Sequence, residues 1–173
     1  MANTFTAIST VTVGSGGTTS ISFSSIPQTY SDLLVLFSLR EDTDDRNVKL
    51  TFNSSSSSIY SGKYLMGSAG TNYTGTDTNN TYFTIVTGAV ASPATVNTFG
   101  NSLLYIPRYT STSYNKSIRI DTTNENADSG NSGCAIYAGV WASTSAISGI
   151  TFTPWASKFV QYSTATLYGI KNS

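Results

Sequence analysis

The side chains best placed for chemistry are acidic. Glu41, Asp42, Asp44 and Asp45 fall within five residues, and a hard cation such as calcium takes several oxygen ligands from one short segment. Asp42, Asp44 and Asp45 are the calcium candidates. The run lacks the central glycine and terminal glutamate of a dedicated calcium loop. The competing reading is a solvated hairpin turn, with Arg40 and Arg46 on either side offsetting the repulsion among the acids. A looser set, Asp121, Glu125 and Asp128, has the residue type a glycoside hydrolase needs for its two carboxylates. The pairing that such chemistry requires is not evident there, and exposure in a loop accounts for these acids.

Other catalytic chemistry is harder to assemble. The chain has no histidine, which removes the commonest general base, the commonest transition-metal ligand and the usual triads. The one cysteine, Cys134, can form neither an intramolecular disulfide nor a zinc set. With no histidine to act as base it makes a poor nucleophile, and its place in the apolar run 134–141 reads as a small buried core residue. Gly14-Ser15-Gly16-Gly17 is followed by no Gly-Lys-Ser/Thr and opens no helix, so it is not a phosphate loop. No enzymatic activity, catalytic residue or cofactor is expected.

Aromatic side chains are the positive feature: eleven Tyr, eight Phe and two Trp. Tyr105, Tyr137, Trp141 and Tyr168 fall in apolar runs and read as core or sheet-face packing. Tyr73, Tyr109, Tyr114 and Trp155 fall in polar, turn-like surroundings. Exposed rings of this kind stack on sugars or anchor protein interfaces, which makes these four the candidate binding residues. The alternative is that they plug the rims of the fold.

The elements that would position these groups are strands. At 173 residues the chain suits one domain, spanning 1–173. Charged residues make up only 10%, against about 25% in an average globular protein, and Ser, Thr and Asn supply roughly two residues in five. With 39% hydrophobic and 12% aromatic residues, the chain can still bury enough apolar surface to fold. Short runs with apolar alternation recur at 5–13, 21–26, 31–40, 48–52, 59–66, 82–86, 99–106, 117–121, 134–141, 147–152 and 162–170. Turn-rich connections separate them, notably 67–80 and 122–133. Gly14 to Gly17 reads as a hairpin joining the first two runs. The nearly continuous run 31–40 suits a strand buried on both faces or crossing the centre of a sandwich. Around ten short strands at regular intervals predict an all-β, antiparallel, jelly-roll-like sandwich.

Net charge is zero, with nine basic and nine acidic residues. The basic residues are scattered, not gathered into the stripe that displaces counterions from phosphates, so no nucleic-acid partner is expected. The first ten residues show neither a positive region nor an apolar stretch, and no segment has the length of a transmembrane helix. Neither a signal peptide nor membrane insertion is expected.

Three stretches together resemble a known family. They are Thr12-Val13-Gly14-Ser15-Gly16-Gly17 through Ile26-Pro27-Gln28-Thr29-Tyr30-Ser31-Asp32-Leu33-Leu34, then Phe99-Gly100-Asn101 with Leu104-Tyr105-Ile106-Pro107, and the ending Tyr162 to Lys171. Their order and spacing resemble a family of small structural proteins from tailed bacteriophages of marine and cyanobacterial hosts, and the resemblance covers nearly the whole chain. It implies a virion protein with no catalytic residues, assembled in the host cytoplasm. Its partners would be other phage structural proteins of capsid or tail. A homo-oligomer, for instance a trimer, is expected. The leading expectation is a capsid decoration (cement) or accessory head protein. The other is a receptor- or glycan-binding tip of a tail or head fibre, with a host surface glycan as partner.

Overall fold

The computed structural model describes residues 4–126 and 132–171, so Asp128 lies outside the described residues. The elements are β1 (Thr4–Thr12), β2 (Ile21–Phe23), β3 (Asp32–Ser38), β4 (Val48–Phe52), β5 (Tyr60–Ser68), β6 (Thr71–Asn80), β7 (Phe83–Ile85), β8 (Asn101–Ile106), β9 (Lys116–Thr123), β10 (Cys134–Trp141), β11 (Ile150–Pro154) and β12 (Thr164–Lys171). Eight form one sheet in the order β1-β12-β3-β8-β9-β10-β5-β6, and four form a second in the order β2-β11-β4-β7. All neighbouring strands run antiparallel. The fold is an all-β sandwich with no helix among the described residues.

Three pairs of consecutive strands switch from one sheet to the other at a common corner. β12 lies between β1 and β3 in the large sheet, while β11 lies between β2 and β4 in the small one. The ribbon therefore bends as a unit at residues 13–20, 39–47 and 155–163, which joins the two sheets along one corner. Isolated bridges from Phe159 to Thr18 and to Glu41 tie the bend. The glycine run at 14–17 thus makes a corner and not a hairpin, because β1 and β2 belong to different sheets. A turn closed from Gly17 N to Gly14 O at 3.0 Å, with Gly17 at φ +71°, redirects the chain there. The acidic run 41–45 likewise sits at this corner and does not cap a hairpin.

Apolar alternation directs the core. β9 and β10 bury every second residue, as strands with one covered face must. Phe37 and Phe152 meet across the sheets with ring centroids 5.0 Å apart. Phe52, Tyr60, Phe83 and Trp141 form an edge-to-face cluster, a geometry that the ring quadrupoles favour.

Two expectations about strands are corrected. The segment 67–80 is not a loop. It holds the tight β5–β6 turn, with Ala69 at φ 50° and Gly70 at φ 74°, and then the ten-residue edge strand β6. Both faces of β6 are largely open, so its sequence carries no alternation to read. β3 is central in its sheet but is covered on one face only. Leu33, Val35 and Phe37 are buried, whereas Leu36 on the other face is 43% exposed. Cys134, read as a core residue, is exposed, because the alternation in β10 puts Ala135 inside and Cys134 outside.

Candidate interaction surface

The outer face of the eight-stranded sheet carries an apolar row. Registers place Leu65 opposite Ile136, Ile136 opposite Asp121, Asp121 opposite Leu103 and Leu103 opposite Leu36. The row runs across five central strands, and Val140 stands two residues from Ile136 on β10. Of the nine large apolar side chains exposed among the described residues, Leu36, Leu65, Ile136 and Val140 share this one face. Arg119 and Asp121, two apart on β9, form a fork-to-carboxylate pair within the row, at 3.1 Å and 3.0 Å. Beside it an open depression of about 510 Å³ is lined by Leu65, Asn72, Arg119, Asp121, Cys134 and Ile136, among others. An alternating strand normally places polar residues on its uncovered face, so an apolar stripe here marks a surface suited to a partner.

A second feature lies on the outside of the small sheet. Lys49 of β4 sits 4.8 Å from the Trp155 ring centroid and 5.6 Å from that of Tyr82, and its ammonium donates to the Trp155 carbonyl at 3.1 Å. The two rings meet edge to face at 5.9 Å. The positive Lys49 is held by ring faces and a carbonyl dipole.

The corner carries two buried ionisable groups. Arg40 donates to four carbonyl oxygens, those of Ser92, Ala94, Thr95 and Thr98, at 2.8 to 3.0 Å, and so pins the 92–98 loop. Burial lowers its pKa. Glu41 is fully buried. One carboxylate oxygen accepts from the Trp155 amide at 3.2 Å, while the other has no hydrogen-bond partner. Burial pushes its pKa from 4.5 to about 7, against the backbone bond from Trp155 that opposes it, with Asp45 and Asp42 adding a smaller upward push. The signal for Glu41 was in the alternation: Leu33, Val35, Phe37, Leu39 and Glu41 are successive odd positions, and all are buried.

The sequence-predicted residues do not assemble into one site. Asp42 accepts from Lys158 N and Ser157 Oγ, Asp45 accepts from the amides of Arg46 and Asn47, and Asp44 is exposed. No group of three or more His, Cys, Asp or Glu side chains that could hold a metal ion occurs among the described residues. Among the aromatics, Tyr73 lies on the β6 edge and Tyr114 in the loop after β8, 45% and 43% exposed. Trp155 packs on Lys49. Tyr109 is corrected outright: it is fully buried, its hydroxyl donates to the Pro27 carbonyl, and its own carbonyl accepts from Ile147 N. A loop position gave no warning that this ring fills the interior beneath the 24–30 segment. Sequence reading also missed the outer-face row. Its signal was the adjacent apolar residues at 33–37 and 103–104, where strict alternation leaves no inside place for both.

No family model, no curated protein and no solved structure matches this chain.

Proposed function

We propose that this chain is a bacteriophage virion structural protein, a capsid decoration or accessory head subunit that docks through the outer face of its eight-stranded sheet and catalyses no reaction. The observation that supports this most is the row Leu65, Ile136, Leu103 and Leu36, a stripe apolar apart from Asp121 on a face that none of the described residues covers. The zero net charge supports it too, since identical subunits can crowd on a particle with little mutual repulsion. Mass spectrometry and labelling of purified particles of the encoding phage test the reading. The protein is expected in stoichiometric amount on the head, and its absence from the particle overturns the proposal.

A second reading, a glycan-binding tip module, is favoured by the pairing of Trp155 and Tyr82 over Lys49. Rings and a cation at one surface spot suit sugar stacking and anionic sugars. Binding on a glycan array that is lost in Trp155→Ala, together with labelling of fibre tips, would select this reading over the first.

A further inference from the structure

We propose that two copies of this chain pair through their β6 edges, antiparallel and about a two-fold axis, to form one sheet continuous across both. This stands whether or not the chain belongs to a virion. Among the described residues β6 is paired on one side only, with β5, so half of its amides and carbonyls face outward as an open ladder. From Thr71 to Asp77 that ladder is in unbroken register with β5. Beyond it Thr78 and Asn79 stand against the single Ser61, so β6 carries a bulge at its C-terminal end, with Asn79 at φ 54°.

The other edges are poorer templates. β2 and β7, the edges of the small sheet, are three residues each. β1, the far edge of the large sheet, is broken by a register shift between Ala7 and Ser9. Natural edges are commonly guarded by lysine, proline or a bulge. Thr71–Asn80 contains no lysine, arginine or proline, and its bulge at Thr78–Asn79 lies at the far end, leaving Thr71–Asp77 regular where β1 is interrupted mid-strand. Its single charge, Asp77, stands 3.4 Å from the Tyr137 hydroxyl and so is held toward its own sheet. An edge this close to neutral meets its own copy without repulsion, which is why the occupant is a second copy and not a charged partner.

Side chains add to the ladder. Tyr73 is 45% exposed and stands opposite the half-buried Met66, on the side of β5–β6 that the four-stranded sheet leaves partly uncovered. A two-fold mate brings its own Tyr73 and Met66 into the same layer. On the opposite face Thr74 lies next to Leu65, so pairing also joins the apolar rows of the two copies.

Sedimentation velocity and light scattering across micromolar to sub-millimolar concentrations test the proposal. The unmodified chain is expected to be dimeric. Thr74→Lys with Thr76→Lys, both at exposed positions, should weaken dimerisation by about tenfold or more through like charges across the strands. Thr74→Glu with Thr76→Glu should do the same, and mixing the two variants should restore a dimer. Hydrogen exchange gives a readout that needs no variant: amides of β6 facing away from β5 should gain protection as protein concentration rises. A monomer at every concentration overturns the proposal. So does a dimer that both double variants leave intact, variants that do not pair on mixing, or β6 amides whose exchange ignores concentration.

Discussion

The Tyr64 ring covers Gly75 of the neighbouring strand so closely that a Cβ at position 75 would come within 2.3 Å of the ring. The two residues are direct cross-strand partners. Tyr137 covers Gly62 and Tyr30 covers Gly169 in the same manner. A glycine in a strand interior costs stability because it has no side chain to pack, and an aromatic ring laid over it recovers that contact.

The pairing predicts a steric cost. Gly75→Ala should destabilise the fold by about 1–3 kcal/mol, the range for overpacking a close contact. Gly16→Ala, where an added Cβ meets nothing within 4 Å, should change stability by less than about 0.5 kcal/mol. Chemical denaturation of the two variants side by side checks this, and equal effects would refute it.

Glu41 predicts a pH dependence. Its folded-state pKa of about 7 lies above the ordinary 4.5. Below 4.5 both states hold the proton and the group costs nothing. Between 4.5 and about 7 the unfolded chain has lost the proton while the folded chain keeps it, so stability falls as pH rises through this window. Above about 7 the loss levels off, at roughly 3 kcal/mol. Glu41→Gln should flatten the dependence in that window and gain stability at alkaline pH. Denaturation midpoints measured from pH 4 to pH 8 read both effects.

Arg40 predicts a local defect as well as a global one. Arg40→Met strips the partners from the carbonyls of Ser92, Ala94, Thr95 and Thr98. A loss of about 3 kcal/mol or more is expected, since buried acceptors left unpaired carry their full desolvation cost. Arg40→Lys should recover only part of it, because an ammonium cannot reproduce the planar fork. Limited proteolysis should find the 92–98 segment cut faster in both variants.

The outer-face row predicts a separation of stability from docking. Leu36→Lys with Ile136→Lys alters side chains that are 43% and 55% exposed. Stability should move by no more than about 1 kcal/mol. Under the proposed virion role, occupancy on the particle should fall about tenfold or more, as expected when an interface loses its central apolar contacts. Unchanged occupancy would remove this face from the docking proposal.

Much of the fold could be read directly from the residues. Alternation in 48–52, 117–121 and 134–141 announced strands with one covered face, and the structure has them there. The all-β sandwich followed from the number and spacing of such runs. β6 stayed hidden because a two-sided edge strand such as Thr71–Asn80 obeys no burial pattern. Its strand character comes from hydrogen bonds to β5, which leave no mark on composition.

Sequence by itself determined which chemistry was within reach. A chain without histidine and with one cysteine cannot build an imidazole-based triad or a zinc set of cysteines and histidines, whatever its fold. It also determined strand periodicity, because burial of one face selects residue type directly. Only the tertiary structure decided where the corners fall, and with them the fates of Glu41, Arg40 and Tyr109. Their burial depends on which segments meet when three strand pairs bend together, a contact between residues more than a hundred positions apart, as for Glu41 and Trp155. It also decided that Leu34 and Leu36 face away from the core. A run of adjacent apolar residues is compatible with two covered faces or one, and the choice rests on whether a second sheet reaches that side.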